Sequence, residues 1–141
     1  MTEKFIALTV DAVIVHKGKI LLIRRAGATY HNYWALPGGF VNYGERVEDA
    51  LIREVKEETG IDVKIDHLLG VYSEPGRDPR GHTVSVVYIC SPLADNLQDM
   101  KAGDDAAGAG LFAQDGIPDL AFDHNKIVND AVEWLRQKKS G

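Results

Sequence analysis

Residues 53–60, REVKEETG, place Glu54, Glu57 and Glu58 close together in a chain whose net charge is already −5. Like charges at i,i+4 oppose helix formation by roughly 0.2–0.5 kcal/mol per pair, so the crowding calls for a compensating chemistry. On a helix over residues 45–59, turning about 100° per residue, Val47, Ala50, Leu51, Glu54, Glu57 and Glu58 share an arc of roughly 120°. The azimuth that is apolar in the first two turns becomes carboxylate in the last, whereas a solvated charge run lies opposite the apolar stripe. A carboxylate turned inward must be paired, protonated or metal-bound. The local sequence offers no matching trio of cations, and a hard divalent ion such as Mg²⁺ takes oxygen ligands while keeping several waters. On the helix alone, a solvated end with Arg53 and Glu57 as an ordinary i,i+4 pair explains the same residues, so both readings stand at this level.

The elements that must position these acids follow from hydrophobic periodicity. Residues 5–15, FIALTVDAVIV, read as a largely buried strand, HKGK as a hairpin turn, and ILLIRR (20–25) as a second strand. In WALPGGFVNYG, Pro37 with Gly38 and Gly39 is expected to break any regular element. The helix at 45–59 stops at Gly60. Strands are expected in 62–74 and 83–91, separated by EPGRDPRGH, with a short weak strand at 109–113. Asp123 is a candidate N-cap for a last helix, 124–138, whose apolar stripe is Ile127, Ala131, Trp134 and Leu135. The expected class is α/β, a sandwich with a mixed sheet, in one domain over 1–141.

Composition narrows the function. A chain of 141 residues with pI near 5.5 has no broad basic face for nucleic acid, though phosphate-bearing small molecules need only local cations. Its first segment has no basic n-region and is too short, with Asp11 inside it, to span a bilayer. Neither nucleic acid nor membrane is an expected partner, and the cytoplasm is the expected compartment. The single cysteine, Cys90, cannot form an internal disulfide and reads as a buried strand residue. The five histidines (His16, His31, His67, His82 and His124) show no metal-ligand spacing and read as structural or solvated.

Gly39, five residues, Glu45, seven residues, then Arg53-Glu54-Val55-Lys56-Glu57-Glu58-Thr59-Gly60-Ile61 resembles the Nudix box of the Nudix hydrolase family, matching all nine specified positions over 23 residues. The resemblance implies the family's α/β/α sandwich and a loop–helix–loop that binds Mg²⁺, with Mn²⁺ as a substitute. Carried onto this chain, it implies Glu54, Glu57, Glu58 and the Gly38 carbonyl as metal ligands. Gly39, Glu45 and Gly60 would be structural, and Arg53 would orient the carboxylates. An acid outside the box is expected at Asp105, with Asp104 the alternative. The implied reaction is attack of water on the pyrophosphate of a nucleoside diphosphate derivative.

WALPGGFVNYGE, GVYSEPGRDPRGHTVSVVYI, AGDDA and LAFDH together are similar to small prokaryotic ADP-ribose pyrophosphatases, and Pro75, fifteen residues beyond Gly60, fits a proline often found in ADP-ribose hydrolases. Arg24, Arg25, Arg77 and Arg80 are the candidate contacts to phosphate or ribose, with Asp78 a hydroxyl acceptor. Tyr30, Tyr33, Trp34 and Phe40 are candidate surfaces for the base. Two other functions fit the motif: a nucleoside triphosphate pyrophosphohydrolase, or a non-catalytic module that senses ADP-ribose. A homodimer through the apolar N-terminal strand is expected by analogy with related pyrophosphatases.

Overall fold

A computed structural model of the chain describes residues 4–94, 97, 100 and 106–140. The β-branched first run forms β1 (Ala7–His16). Lys17 and Gly18, at φ 51° and 79°, turn it into β2 (Lys19–Arg25), as a two-residue hairpin needs two positive φ angles. β3 (Trp34–Ala35) and β4 (Gly38–Phe40) follow, then α1 (Val47–Thr59), β5 (Val63–Tyr72), β6 (Thr83–Pro92), β7 (Ala106–Ala113) and α2 (His124–Ser140).

β1 organises the sheet. It runs parallel to β6 from Ala7↔Thr83 to Ile14↔Cys90, and β5 pairs antiparallel on the far side of β6. Its other edge meets β4 antiparallel and then turns into β2, which carries β3 and β7. Alternation along β1 splits the core in two. Val10, Ala12 and Ile14 pack with Ala50, Leu51 and Val55 of α1, while Val13 packs with Leu22 and with Ile127, Val128 and Ala131 of α2. A mixed sheet between two helices is the expected α/β/α sandwich.

Several boundaries differ from the sequence expectation, each for a local reason. The segment after Trp34 is not irregular throughout, because Gly38–Phe40 adds to β1 in the register Thr9↔Phe40, Val10↔Gly39, Asp11↔Gly38. The box helix begins at Val47 rather than at residue 45. Arg46 is its extended N-cap, without a side-chain capping bond, and Glu45 is drawn away to Arg53. Gly60, at φ 76°, closes the helix with its N–H on the Lys56 carbonyl at 2.9 Å. α2 runs past residue 138 to Ser140, and β7 starts at Ala106 rather than at 109. Asp123 gives both carboxylate oxygens to Arg77, so its side chain is engaged there.

Leu51, fully buried, anchors α1 on the sheet. Leu51→Ala is expected to lower stability by about 2–5 kcal/mol, read as a lower urea midpoint at unchanged m; a loss below about 1 kcal/mol would show that α1 does not depend on this contact.

Candidate active site

Two glycines let the helix carboxylates reach the sheet. A Cβ built on Gly39 would lie 2.4 Å from Glu54 Cδ, and one on Gly38 would lie 2.1 Å from the Val10 carbonyl oxygen. A side chain on Gly38 would break the pairing of β4 with β1, and one on Gly39 would displace the Glu54 carboxylate. The close approach lets the Gly38 N–H donate to Glu58 Oε1 at 2.8 Å.

Arg53 is the hub of the box. Its Nε and Nη2 donate to Glu45 at 2.7 and 2.9 Å, its Nη1 to Glu54 Oε1 at 2.8 Å, and Nη2 also to the Phe40 carbonyl at 3.1 Å. The planar guanidinium thereby ties the loop before α1 to the carboxylates on it. These bonds hold Glu45 down at about 2 and raise the Arg53 pKa further.

Glu54 and Glu58 open into a cavity of about 700 Å³, within the range of small-ligand sites. Arg25, Arg80, Phe40, Asp11, Phe122 and His124 also line it. Burial pushes Glu58 up to about 8, with Glu54 and Asp11 adding to the effect. Burial likewise lifts Asp11 to about 7, against the hydrogen bond it accepts from Ser85, and it drives His124 down to about 3. A cavity that keeps its own carboxylates protonated is one a cation would occupy favourably.

The sequence-derived candidates separate in space. Glu54 and Glu58 face the cavity together with Gly38 and Gly39, but Glu57 does not line it; its half-exposed side chain pairs with Arg53 at 3.3 Å. Strand alternation puts Arg25 on the cavity and turns Arg24 outward to solvent. Trp34 packs edge-on against Phe112 in the α2-side cluster, with ring centroids 4.9 Å apart, and so offers the cavity no stacking face. Arg77 lines the cavity, yet its guanidinium is committed to both oxygens of Asp123, at 2.9 and 2.7 Å, and to Thr83 Oγ1 at 2.9 Å. Arg80 is likewise held by Asp78 at 3.1 and 2.8 Å while lying over the rings of Phe40 and Phe122. Tyr30 rests on Phe122 at 4.8 Å. Asp104 and Asp105 lie outside the described residues.

Three cavity residues were missed by sequence reading. Asp11 left a signal, a lone acid inside an otherwise apolar strand. His124 closes the stretch LAFDH quoted above but was read as structural or solvated, because its neighbours across the cavity, Asp11 and Leu36, lie far away in the chain. Phe122, quoted above only within LAFDH, takes a left-handed φ of 55° that is costly for an aromatic residue and turns its ring under Arg25 and Arg80.

The donor set suits a hard divalent cation. Carboxylates of Glu54 and Glu58 and an unobstructed glycine backbone offer only oxygen. Among the described residues no three His, Cys, Asp or Glu side chains converge as a finished cage. Mg²⁺ does not need one, since it is commonly held by one or two carboxylates, with waters and substrate phosphate completing the shell.

With this geometry in place, the chain can be set beside known proteins. The NUDIX domain model matches residues 6–135, so the chain belongs to the NUDIX family. It is 51% identical over 128 residues to an ADP-ribose pyrophosphatase of Methanocaldococcus jannaschii, covering 91% of this chain and 74% of that one. Its fold matches the NUDIX domain of Shewanella oneidensis NrtR complexed with ADP ribose at TM-score 0.78 and 27% identity, over 94% of this chain and 90% of that one. A bifunctional NMN adenylyltransferase/ADP ribose pyrophosphatase from Francisella tularensis, complexed with AMP and Mn ion, matches at TM-score 0.77 and 28% identity; the match covers 94% of this chain and 43% of that one.

The buried acids set a pH dependence. The folded protein keeps protons on Glu58, at about 8 against 4.5, and on Asp11, at about 7 against 3.8, that the unfolded chain has released. His124 opposes this only below its ordinary value of 6.5. More protons bound in the folded state means that stability falls as pH rises. In EDTA the Tm is expected to fall from about pH 6.5 to 8, and saturating Mg²⁺ is expected to remove the fall. A Tm that rises across this window without metal would contradict the charge balance described.

Proposed function

We propose that the protein is a Mg²⁺-dependent hydrolase of ADP-ribose, releasing AMP and ribose 5-phosphate. The observation that carries the reading is the pairing of Glu54 and Glu58 with the Gly38–Gly39 backbone at one end of a cavity whose other walls are cationic and aromatic. Its support from relatives is the likeness to the archaeal ADP-ribose pyrophosphatase and to a domain complexed with ADP ribose.

Glu54 and Glu58, with the Gly38 carbonyl, would hold the metal, and Arg53 positions Glu54 for that task. Mg²⁺, or Mn²⁺ in its place, supplies charge neutralisation on the phosphate oxygens and acidifies water. Arg25, steadied by the Thr29 carbonyl at 2.8 Å, points a guanidinium into the cavity for a phosphate oxygen. Phe40 and Phe122, already under the Arg80 guanidinium, offer flat faces for the base. Water would add to one phosphorus as the bridging P–O bond breaks, the bridging oxygen leaving on the other phosphate with the bond's electrons and the water's protons passing to phosphate oxygen or solvent. No protein nucleophile is required.

Cytoplasmic location and a homodimer belong to the same proposal. The free, buried thiol of Cys90 fits a reducing compartment, and no described helix is long and apolar enough to cross a membrane.

The test is turnover with Mg²⁺ on ADP-ribose, other nucleoside diphosphate derivatives and nucleoside triphosphates, with products identified by mass. AMP plus ribose 5-phosphate at the highest kcat/KM is the expected result. Preference for a triphosphate with release of pyrophosphate would overturn the substrate, and binding without turnover would favour a sensing module. Glu58→Gln is expected to keep the fold and retain less than about a tenth of wild-type kcat, since it removes a charged ligand of the metal.

A further inference from the structure

The cavity contains a second polar group that the hydrolytic machinery leaves unused. It stands on the α2-facing side of β1 and β6, where Thr9, Asp11 and Ser85 replace the apolar residues found further along the same face. Ser85 Oγ donates to Asp11 Oδ2, leaving Oδ1 without that donor. The Leu36 N–H donates to His124 Nδ1 at 3.0 Å, so the neutral ring carries its proton on Nε2. That nitrogen is 3.7 Å from Asp11 Oδ1, beyond the range of an N–H···O bond. An acceptor and a donor thus stand side by side on the cavity wall without bonding one another.

An acceptor beside a donor matches a hydroxyl group, which gives one hydrogen bond and takes another. It matches an ionised phosphate poorly, because such a phosphate has no proton to give an acceptor. Arg77 does not change this, as Asp123 and Thr83 consume its fork. Position adds the second half of the argument. Asp11 is the register partner of Gly38, and a Cβ on Gly38 would come within 2.5 Å of Asp11 Oδ1. The hydroxyl-matching pair therefore abuts the corner formed by Gly38 and Glu58, so whatever it reads is joined closely to the diphosphate.

We propose that Asp11 and His124 form a subsite that docks the hydroxyls of the sugar attached to the diphosphate, and that this pair selects nucleoside diphosphate sugars over nucleotides that end in phosphate. The proposal rests on the hydrolase reading above for its diphosphate, and adds to it the residues that recognise the sugar. Asp11 and His124 are specificity-determining residues in this account and take no part in breaking the P–O bond.

The experiment has a binding arm and a substrate arm. In EDTA, ribose 5-phosphate and AMP are titrated calorimetrically into wild-type protein and into Asp11→Asn, which keeps the size of the side chain and an acceptor for Ser85. Ribose 5-phosphate is expected to lose about tenfold or more in affinity in the variant and AMP less than about twofold, since the acceptor that faces the hydroxyl is replaced by an amide donor. Equal losses, loss for AMP alone, or no binding of ribose 5-phosphate to the wild type would overturn the proposal. A weakened Mn²⁺ affinity with an unchanged preference for the sugar phosphate would also overturn it, by assigning Asp11 to the metal. On wild-type protein, independent of any variant's folding, ADP-ribose is compared with an analogue whose terminal ring lacks hydroxyls. A kcat/KM ratio of at least about ten is expected, because a site built for hydroxyls rejects the analogue without them; a ratio below about two would overturn the subsite. If the wild type binds ribose 5-phosphate through Asp11 but hydrolyses no nucleotide, the hydrolase reading fails and the subsite stands.

Discussion

Gly38 and Gly39 are packed so tightly that a side chain on the first would meet the β1 backbone and one on the second the Glu54 carboxylate of α1, and the rest of the site is arranged around that approach. Glu58 accepts the Gly38 N–H, Glu54 lies against Gly39, and β4 adds to β1 beneath them. Arg53 then locks the arrangement from outside by joining Glu45, Glu54 and the Phe40 carbonyl. The helix is thus fixed both by its buried Leu51 and Val55 and by polar bonds to the strand it covers. Rigid elements on both sides of an acid pair are what a metal site requires, since its ligands must be held before the ion arrives.

Charge explains why the same cavity is unfinished as a purely protein structure. Of its lining arginines, Arg77 is held by Asp123 and Arg80 by Asp78. Glu58 and Asp11 are left buried and hold protons well above the ordinary carboxylate range. Under the proposed function, a divalent cation on Glu54 and Glu58 would resolve the first and a sugar hydroxyl on Asp11 the second, dividing the cavity into a corner for the diphosphate and a floor for what hangs from it.

The box was legible because its signal is local: an apolar helical stripe that turns acidic, a helix stop at Gly60, and two glycines upstream. Periodicity also gave the two helices and most strands, and the hairpin turn at Lys17–Gly18. It failed where tertiary pairing decides. Gly38–Phe40 reads as a break but is a strand, because β1 offers it an edge. Arg24 and Arg25 are equivalent in the sequence and opposite in the sheet, Trp34 is taken by Phe112, and Arg77 is taken by Asp123. Glu57 shares the helical arc yet ends outside the cavity, since a helix edge sorts carboxylates more finely than an arc of 120° resolves. His124 meets Asp11 and Leu36 only through the packing of α2 on the sheet, so no spacing along the chain could have announced it.

The central claim is that Glu54, Glu58 and the Gly38 carbonyl together define the metal position, and Mn²⁺ shows it most directly. Anomalous diffraction from crystals soaked in Mn²⁺ and AMP is expected to place an ion within bonding distance of both carboxylates and that carbonyl, with Glu57 outside the first coordination sphere. An ion held mainly by Glu57, or bound away from the Gly38–Gly39 backbone, would contradict the account.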